Sequence, residues 1–577
     1  MTNNSSKKGR YTQSPNKIGL FSTSKGSFIK NDNDVVLSFP FKDAVLEAGM
    51  SKEDVGRDER FLHQTLDSKD IDTLEEPKVL TDFRFIDKNG EKALTANTGV
   101  QFFDEDGNLK QNLLIKGNNL LALYTLRERL AGKVKLIYID PPYNTKGEAN
   151  SFAYNNTFNH SSWLAFMKNR LEVAKELLKE DGFIAITIDH SELLYLGVLA
   201  DEIFGRENRV GIVTIVHKPE GRNQEKFFGT SNEFMLVYAK NKDLADFEQV
   251  ILDKEIAKNF DEEDGNGKFR LKNFIRLTDG KYSLRENKPH FFYPVYVSSD
   301  LSKFSLTKEN GFSEVFPITE KGVERTWKTT PATFIKLAHE GSIVAEKEAH
   351  GIVLYEKLRE NQVIKTHWIK KEYHAYHFGT KLLENILGTK EFNFPKSLYA
   401  VADTLKLMTK EDDIVLDFFA GSGTTGHATL TLNSEDGGNR KFILVEQMNY
   451  IESVTKERLS KVIKSDYAND SFIFLELKKY NQEYIDAIME ASGIKELEDL
   501  YVDMRNNAFL KFWFDRAEFE KDEDFRKLDL EGRKQALADI LDENQLYLNY
   551  ADMNDTRHEV SADEKVLTNK FYGENEN

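Results

Sequence analysis

The sequence predicts an α/β protein built on a mostly parallel β-sheet with helices on its faces, split by an insertion. Three observations lead there. Short apolar runs of strand length alternate with stretches of helical periodicity, first between residues 100 and 241 and again between 386 and 480. The runs are almost wholly hydrophobic, as strands covered on both faces must be. Two of them end in turns rich in proline or glycine, and open α/β sheets bind their ligands at such strand ends.

In chain order, residues 1–34 are rich in Ser, Asn, Lys and Gly and read as a flexible leader. Residues 35–99 read as an N-terminal region of short apolar patches that carries no chemistry. Within 100–241, NLLALYTLRERLAG has helical Leu spacing and stops on Gly132. KLIYID is then a buried strand that breaks at Asp140-Pro141-Pro142-Tyr143. WLAFMKNRLEVAKELLKEDG is an amphipathic helix closed by Gly182, followed by the strand FIAITID (183–189) and the β-rich runs VGIVTIVHK and EFMLVYAK. Asp189, at a strand end, reads as a helix cap as readily as a site acid. Residues 242–385 lose the alternation and form the insertion. In 386–480 it returns with DDIVLDFFAG (412–421), KFILVEQ (441–447) and FIFLELKK (472–479). Residues 481–577 form a helical, acidic C-terminal domain.

Composition narrows the function. No apolar run reaches the roughly 18–20 residues that span a bilayer, and the N-terminus lacks the apolar stretch of a signal peptide. The expectation is a cytoplasmic protein without a membrane partner. Cysteine is absent, which excludes disulfides, thiolate zinc sites and a cysteine nucleophile. The net charge is −17, but residues 481–577 hold 25 Asp/Glu against 12 Lys/Arg, leaving only −4 for the rest. The acidic balance therefore does not exclude a nucleic-acid partner.

Two turns carry the chemistry. Asp417-Phe418-Phe419-Ala420-Gly421-Ser422-Gly423-Thr424-Thr425 sits at a strand-to-helix junction. Its glycines permit positive φ and close approach of a ligand, and the helix N-terminus beyond favours an anionic group such as a carboxylate. Glu446 ends the next strand, where such folds place an acid on ribose hydroxyls. No Gly-Lys-Ser/Thr follows, so this is not a P-loop; the plain alternative is a tight turn packing helix on strand. In the other turn, Pro141 and Pro142 stiffen the chain and remove two N–H donors. Backbone carbonyls and the Asp140 carboxylate remain as acceptors, and Tyr143 adds a flat face. That set suits the exocyclic amino group of a planar base, although a strand-ending turn with a packed tyrosine would read the same.

Together, D-P-P-Y and D-F-F-A-G-S-G-T-T resemble the amino-methyltransferases of DNA, and their order, with the insertion between them, is similar to the beta class. The resemblance implies a Rossmann-like class I methyltransferase sheet with circularly permuted motif order. Methyltransferase parts fall at 100–241 and 386–480, with a target recognition domain at 242–385. It implies S-adenosyl-L-methionine as cofactor, held by Asp417 through Thr425 and by Glu446, and no metal. Phe394-Pro395-Lys396-Ser397 resembles a further motif lining the cofactor pocket. Asp140, Pro141, Pro142 and Tyr143 would hold a flipped base for direct in-line transfer without a covalent intermediate. VVLSFPFKDAVLEAGMSKED, NQLYLNYADMND and NKFYG resemble modification (Mod) subunits of type III restriction–modification systems. That implies double-stranded DNA as substrate, N6 of adenine as target, a homodimer, and a separate ATP-dependent restriction (Res) subunit. Cytosine-C5 methylation needs a cysteine nucleophile and is excluded. Cytosine-N4 methylation is the alternative, although its enzymes usually carry Ser where Asp140 stands. A stand-alone adenine methyltransferase, an enzyme acting on RNA or protein amino groups, and a catalytically silent specificity subunit are the others.

For DNA contact, residues 266–288 hold seven Lys/Arg against two acids, interleaved with Phe269, Phe274 and Tyr282. Lys268, Arg270, Lys272 and Arg276 are the candidates there. Residues 365–378 add Lys370 and Lys371 among aromatics and His367, His374 and His377, which read as phosphate-contacting or packing residues. A solvated charged face is the plain alternative for both stretches.

Overall fold

Eleven strands form the central sheet, and most are the short apolar runs of the sequence. They are β1 (Leu80–Asp87), β2 (Gly90–Ala93), β3 (Asn112–Lys116), β4 (Val134–Ile139), β5 (Leu178–Ile188), β6 (Arg209–Val216), β7 (Asn232–Ala239), β8 (His367–Trp368), β9 (Ile414–Asp417), β10 (Lys441–Glu446) and β11 (Phe472–Leu477). The computed structural model describes residues 75–145, 159–221, 227–250, 252, 257–265, 267–277, 280–359, 364–511, 514, 516–521, 523–542 and 545–574, with four two-residue strands upstream of residue 63. Apart from those strands, the leader and VVLSFPFKDAVLEAGMSKED lie outside the described residues.

The chain divides into two compact units, residues 1–248 with 365–577, and residues 249–364. In the first, the strand order is β8-β6-β7-β5-β4-β9-β10-β3-β11-β1-β2. The six strands from β5 to β11 are mutually parallel. Antiparallel pairs extend both sides, β5–β7–β6 and β11–β1–β2. β4 and β9 come from opposite halves of the chain yet pair directly, Leu136 with Val415 and Ile137 with Leu416. This pairing sets the two motif turns side by side.

The covering helices are α1 (Asn119–Leu130), α2 (His160–Leu177), α3 (Leu193–Phe204), α4 (Leu398–Met408), α5 (Thr424–Asp436) and α6 (Glu457–Ser465). The Asn118 side chain accepts from Leu120 N to cap α1, and Gly132 beyond its end takes φ 70°. One expected boundary differs. α2 stops at Leu177, and Gly182 lies within β5 rather than closing the helix. A Cβ there would stand 2.9–3.1 Å from the carbonyl oxygens of Lys179, Val134 and Lys135. The glycine therefore serves close strand–strand approach.

Past β11, α7 (Asn481–Glu490), α8 (Ile494–Asn507) and α9 (Leu530–Asp539) share a small core around Ile488, Leu497, Met504 and Leu537. Residues 545–574 then return to the sheet. Val79 N donates to Leu548 O, and Thr568 Oγ1 accepts from Leu80 N and donates to Leu80 O. Leu567 and Phe571 of α10 (Ala562–Tyr572) join the main core.

The second unit holds a four-stranded antiparallel sheet (262–264, 267–273, 351–359, 343–348), a three-stranded one and the helix Pro331–His339. Its core centres on Phe274, Trp327 and Phe334.

Candidate active site

Three adjacent parallel strands end on carboxylates. β4 delivers Asp140, β9 ends at Asp417 and β10 at Glu446, around one cleft of about 690 Å³. Asn119, Tyr138, Pro142, Phe392, Phe394 and Tyr450 also line it.

On the glycine side, Phe418, Phe419, Ala420, Gly421, Ser422, Thr424 and Thr425 face the cleft. Asp417 fixes this turn. Its Oδ1 accepts from Phe419 N at 3.0 Å and its Oδ2 from Thr425 Oγ1 at 2.6 Å. Burial, with the nearby charges of Asp140 and Glu446, pushes the Asp417 carboxyl up to about 7 despite those donors. Gly423 takes φ 77° at the start of α5, where a Cβ would stand 3.1 Å from Thr455 Cγ2. Glu446 Oε2 accepts from Gly421 N at 2.9 Å, and Oε1 from Gln447 N at 2.9 Å and Met448 N at 3.0 Å. It thus ties the turn to the end of β10. Burial raises its pKa against those donors.

Beneath the turn lies a fully buried Arg458 from α6. It donates to Ser422 Oγ at 3.1 Å and Thr424 Oγ1 at 2.9 Å, and its guanidinium lies 3.2 Å from His427 Nδ1. Burial pulls its pKa down to about 9. On the far side, Asn119 Nδ2 donates to Phe418 O at 2.9 Å and its Oδ1 accepts from buried Arg170 at 2.7 Å.

On the proline side, Asp140 Oδ1 accepts from Thr187 Oγ1 at 2.7 Å and lies 3.2 Å from Lys396 Nζ. Its Oδ2 takes no hydrogen bond among the described residues. Trp163 Nε1 donates to Pro142 O at 2.8 Å and pins the turn, while no described group donates to the Pro141 carbonyl. Tyr143 Oη donates to Glu233 Oε2 at 2.9 Å. Lys396 Nζ reaches Glu233 Oε2 at 2.5 Å and also donates to Tyr143 Oη. Phe394, Pro395 and Lys396 line the cleft, with Phe394 at φ 59°. Ser397 is turned away and donates to Glu372 O at 2.6 Å.

Thr187, Trp163, Glu233 and Arg458 were not singled out by the motifs. The available signals were weak, a lone hydroxyl in FIAITID and a lone acid opening EFMLVYAK. Asp189 accepts from Ser191 N at 2.7 Å, as a local cap does.

The candidate DNA residues fall apart by unit. Lys268, Arg270 and Lys272 share one face of the strand Gly267–Asn273, with Lys268 and Lys272 exposed. Arg276 donates to Lys328 O at 2.7 Å. Phe269 is buried on the strand face opposite Lys268, Arg270 and Lys272, and Phe274, just past the strand, is buried in the core of the second unit, whereas Tyr282 is exposed. In the first unit, Lys370 pairs with Asp403 at 2.5 Å and Lys371 is exposed. No helix among the described residues is long and apolar enough to cross a membrane.

The sequence pattern of the N6/N4 DNA methylase family matches residues 134–457, a span that contains every acid of the cleft. A Haemophilus influenzae chain named for the HindVI type III restriction–modification Mod subunit is 30% identical, over 97% of this chain and 88% of its own length. The EcoPI type III Mod subunit of Escherichia phage P1 is 33% identical over 65% of each chain. The type II methyltransferase M.KpnI of Klebsiella pneumoniae is 32% identical over 63% of this chain and 89% of its own length.

Proposed function

The chain belongs to the N6/N4 DNA methylase family, and on that premise we propose that it methylates N6 of a flipped adenine in double-stranded DNA. The methyl donor is S-adenosyl-L-methionine, and the chain acts as the Mod subunit of a type III restriction–modification system. One observation carries this reading. Three neighbouring parallel strands each present a carboxylate to the same cleft, and Asp140 offers an oxygen that no described neighbour uses. The type III relatives support the Mod assignment, and the same proposal includes a homodimer and an ATP-dependent Res partner for cleavage.

The cleft fits the cofactor. Asp417 and Glu446 make the glycine side of its floor negative, as a ligand carrying ammonium and sulfonium charge requires. The positive-φ glycines leave the turn open, and Phe392, Phe394 and Tyr450 offer apolar faces to a purine. Asp417 through Thr425, Glu446 and the 394–396 segment would hold it. Bound there, it supplies an electrophilic methyl group.

The rest is done by the chain. Asp140 Oδ2 and the Pro141 carbonyl accept the two N6 hydrogens of the base, which turns the nitrogen lone pair away from them and toward the cleft. Thr187 and Lys396 hold Asp140 by its other oxygen, so the acceptor needs no reorientation. Trp163 fixes the proline turn, and Tyr143 gives the flipped base a flat neighbour. No residue forms a bond to the base, so the rate comes from positioning and preset electrostatics.

The test is methyl transfer from labelled cofactor by the purified chain to duplex DNA and to RNA, followed by nucleoside mass spectrometry. N6-methyladenine from DNA is expected. N4-methylcytosine would overturn the target base, and label confined to RNA would overturn the substrate.

A further inference from the structure

Glu233 stands second in β7, the strand antiparallel to β5, and is followed only by apolar residues and Tyr238. It is 7% exposed. A carboxylate is costly to bury unless it is paired and hydrogen-bonded. Here Lys396 Nζ at 2.5 Å and Tyr143 Oη at 2.9 Å supply the pairing. Both partners belong to the machinery assigned above, and Glu233 itself is not among the residues that line the cleft.

We propose that Glu233 is a positioning residue for methyl transfer: it takes a share of Lys396, so that this one ammonium braces Asp140 by Oδ1 without neutralising it and Oδ2 stays available to the base. This rests on the proposed adenine-methyltransferase reading. The geometry supplies the reason. One cation is divided between two carboxylates, 3.2 Å from Asp140 Oδ1 and 2.5 Å from Glu233 Oε2. With Glu233 uncharged, Lys396 would pair with Asp140 alone and draw electron density from the oxygen that must accept N6–H. Glu233 also holds the Tyr143 hydroxyl, which fixes the ring beside the base. The Lys396 backbone has little freedom to compensate. Gly379, in the π-helical turn Tyr376–Lys381, packs so closely on the Pro395 and Lys396 carbonyls that a Cβ there would collide with Pro395 O.

The charges agree in direction. Burial and the Glu233 charge push the Asp140 carboxyl up, and Lys396 only partly offsets them. Burial pushes Glu233 up too, but Lys396 and His217 bring it below the ordinary glutamate value. The groups facing this cluster are Tyr138, Asp140, Tyr143, Thr187, His217, Glu233, Lys396 and, across the cleft, Asp417.

The test is the pH profile of kcat on duplex DNA for wild type, Glu233→Gln, Glu233→Asp and Lys396→Met, with cofactor affinity measured separately. Activity requires ionised Asp140, so its acid limb reports that carboxyl. Glu233→Gln should lower kcat about tenfold or more and move the acid limb about half a unit to one unit lower, with cofactor Kd within about threefold. Glu233→Asp, which keeps the charge, should recover most of the rate. Lys396→Met should move the limb the opposite way, upward, and that arm reads even if Glu233→Gln does not fold. Unmoved limbs, or limbs moving together, overturn the inference. A wild-type chain that leaves DNA unmethylated overturns the proposed function instead.

Discussion

Asp417 should make cofactor binding pH-dependent near neutrality. Its carboxyl moves from an ordinary 3.8 to about 7, first through burial and then through Asp140 and Glu446. A carboxyl raised in the fold contributes stability that is complete below about pH 4 and is lost as pH rises toward 7. The shift of about three units is worth on the order of 4 kcal/mol. The cofactor-free protein is therefore only about half ionised at Asp417 at pH 7, and a cationic ligand favours the ionised form. If binding needs ionised Asp417, affinity for S-adenosyl-L-methionine should fall about fivefold from pH 7 to 6 and about tenfold more from 6 to 5. Titration calorimetry in buffers of different ionisation enthalpy checks both the slope and the release of a proton near pH 6. Asp417→Asn should flatten the slope and weaken binding at pH 8. The asparagine has one oxygen for the two donors, Phe419 N and Thr425 Oγ1, which costs about 1 kcal/mol more. A flat profile in the wild type, or an unchanged one in Asp417→Asn, refutes the assignment of Asp417 to the cation.

Three further outcomes follow from the same geometry. Asp140→Ala should reduce methylation at least a hundredfold and leave cofactor affinity within about threefold, read by single-turnover transfer and calorimetry; parallel loss of both would reassign Asp140 to the cofactor. Gly423→Asp forces a side chain into φ 77° and against Thr455 Cγ2, which distorts the turn that should receive the cofactor's carboxylate. Cofactor binding should disappear while the far-ultraviolet spectrum persists, and normal affinity would refute the pocket. Lys268→Ala with Lys272→Ala removes two exposed charges from one strand face. The slope of log Kd for DNA against log salt should fall by about two, and an unchanged slope would take that face off the phosphates.

Much of the architecture was legible because buried parallel strands leave a plain trace. Runs such as KLIYID and KFILVE are hydrophobic on both faces, and their ends marked Asp140 and Glu446. What the sequence could not show is what long-range packing decides. Gly182 looked like a helix stop, and only its place against the Val134 and Lys135 carbonyls reveals why no side chain fits. Thr187 and Glu233 belong to strands whose apolar pattern hides them; their meaning depends on β5 lying beside β4 and β7 beside β5. Lys396 sits in a segment read as cofactor lining, yet its ammonium reaches Asp140, Glu233 and Tyr143, residues 163 to 256 positions away in sequence. The return of residues 545–574 to β1 had no local signal, since Thr568 meets Leu80 from the other end of the chain. Phe269 and Phe274 misled in the opposite sense, since aromatics beside basic residues suggested stacking on bases, yet both are buried, Phe269 by strand alternation and Phe274 by the core of the second unit.

The central claim is most directly tested by long-read methylation sequencing of DNA from a methyl-deficient host that expresses this chain alone, beside its Asp140→Ala variant. The expected result is N6-methyladenine on one strand of a single asymmetric motif, absent from the variant. N6-methyladenine on both strands of a palindrome would contradict the type III assignment, and unmodified DNA from the wild type would contradict the proposed activity.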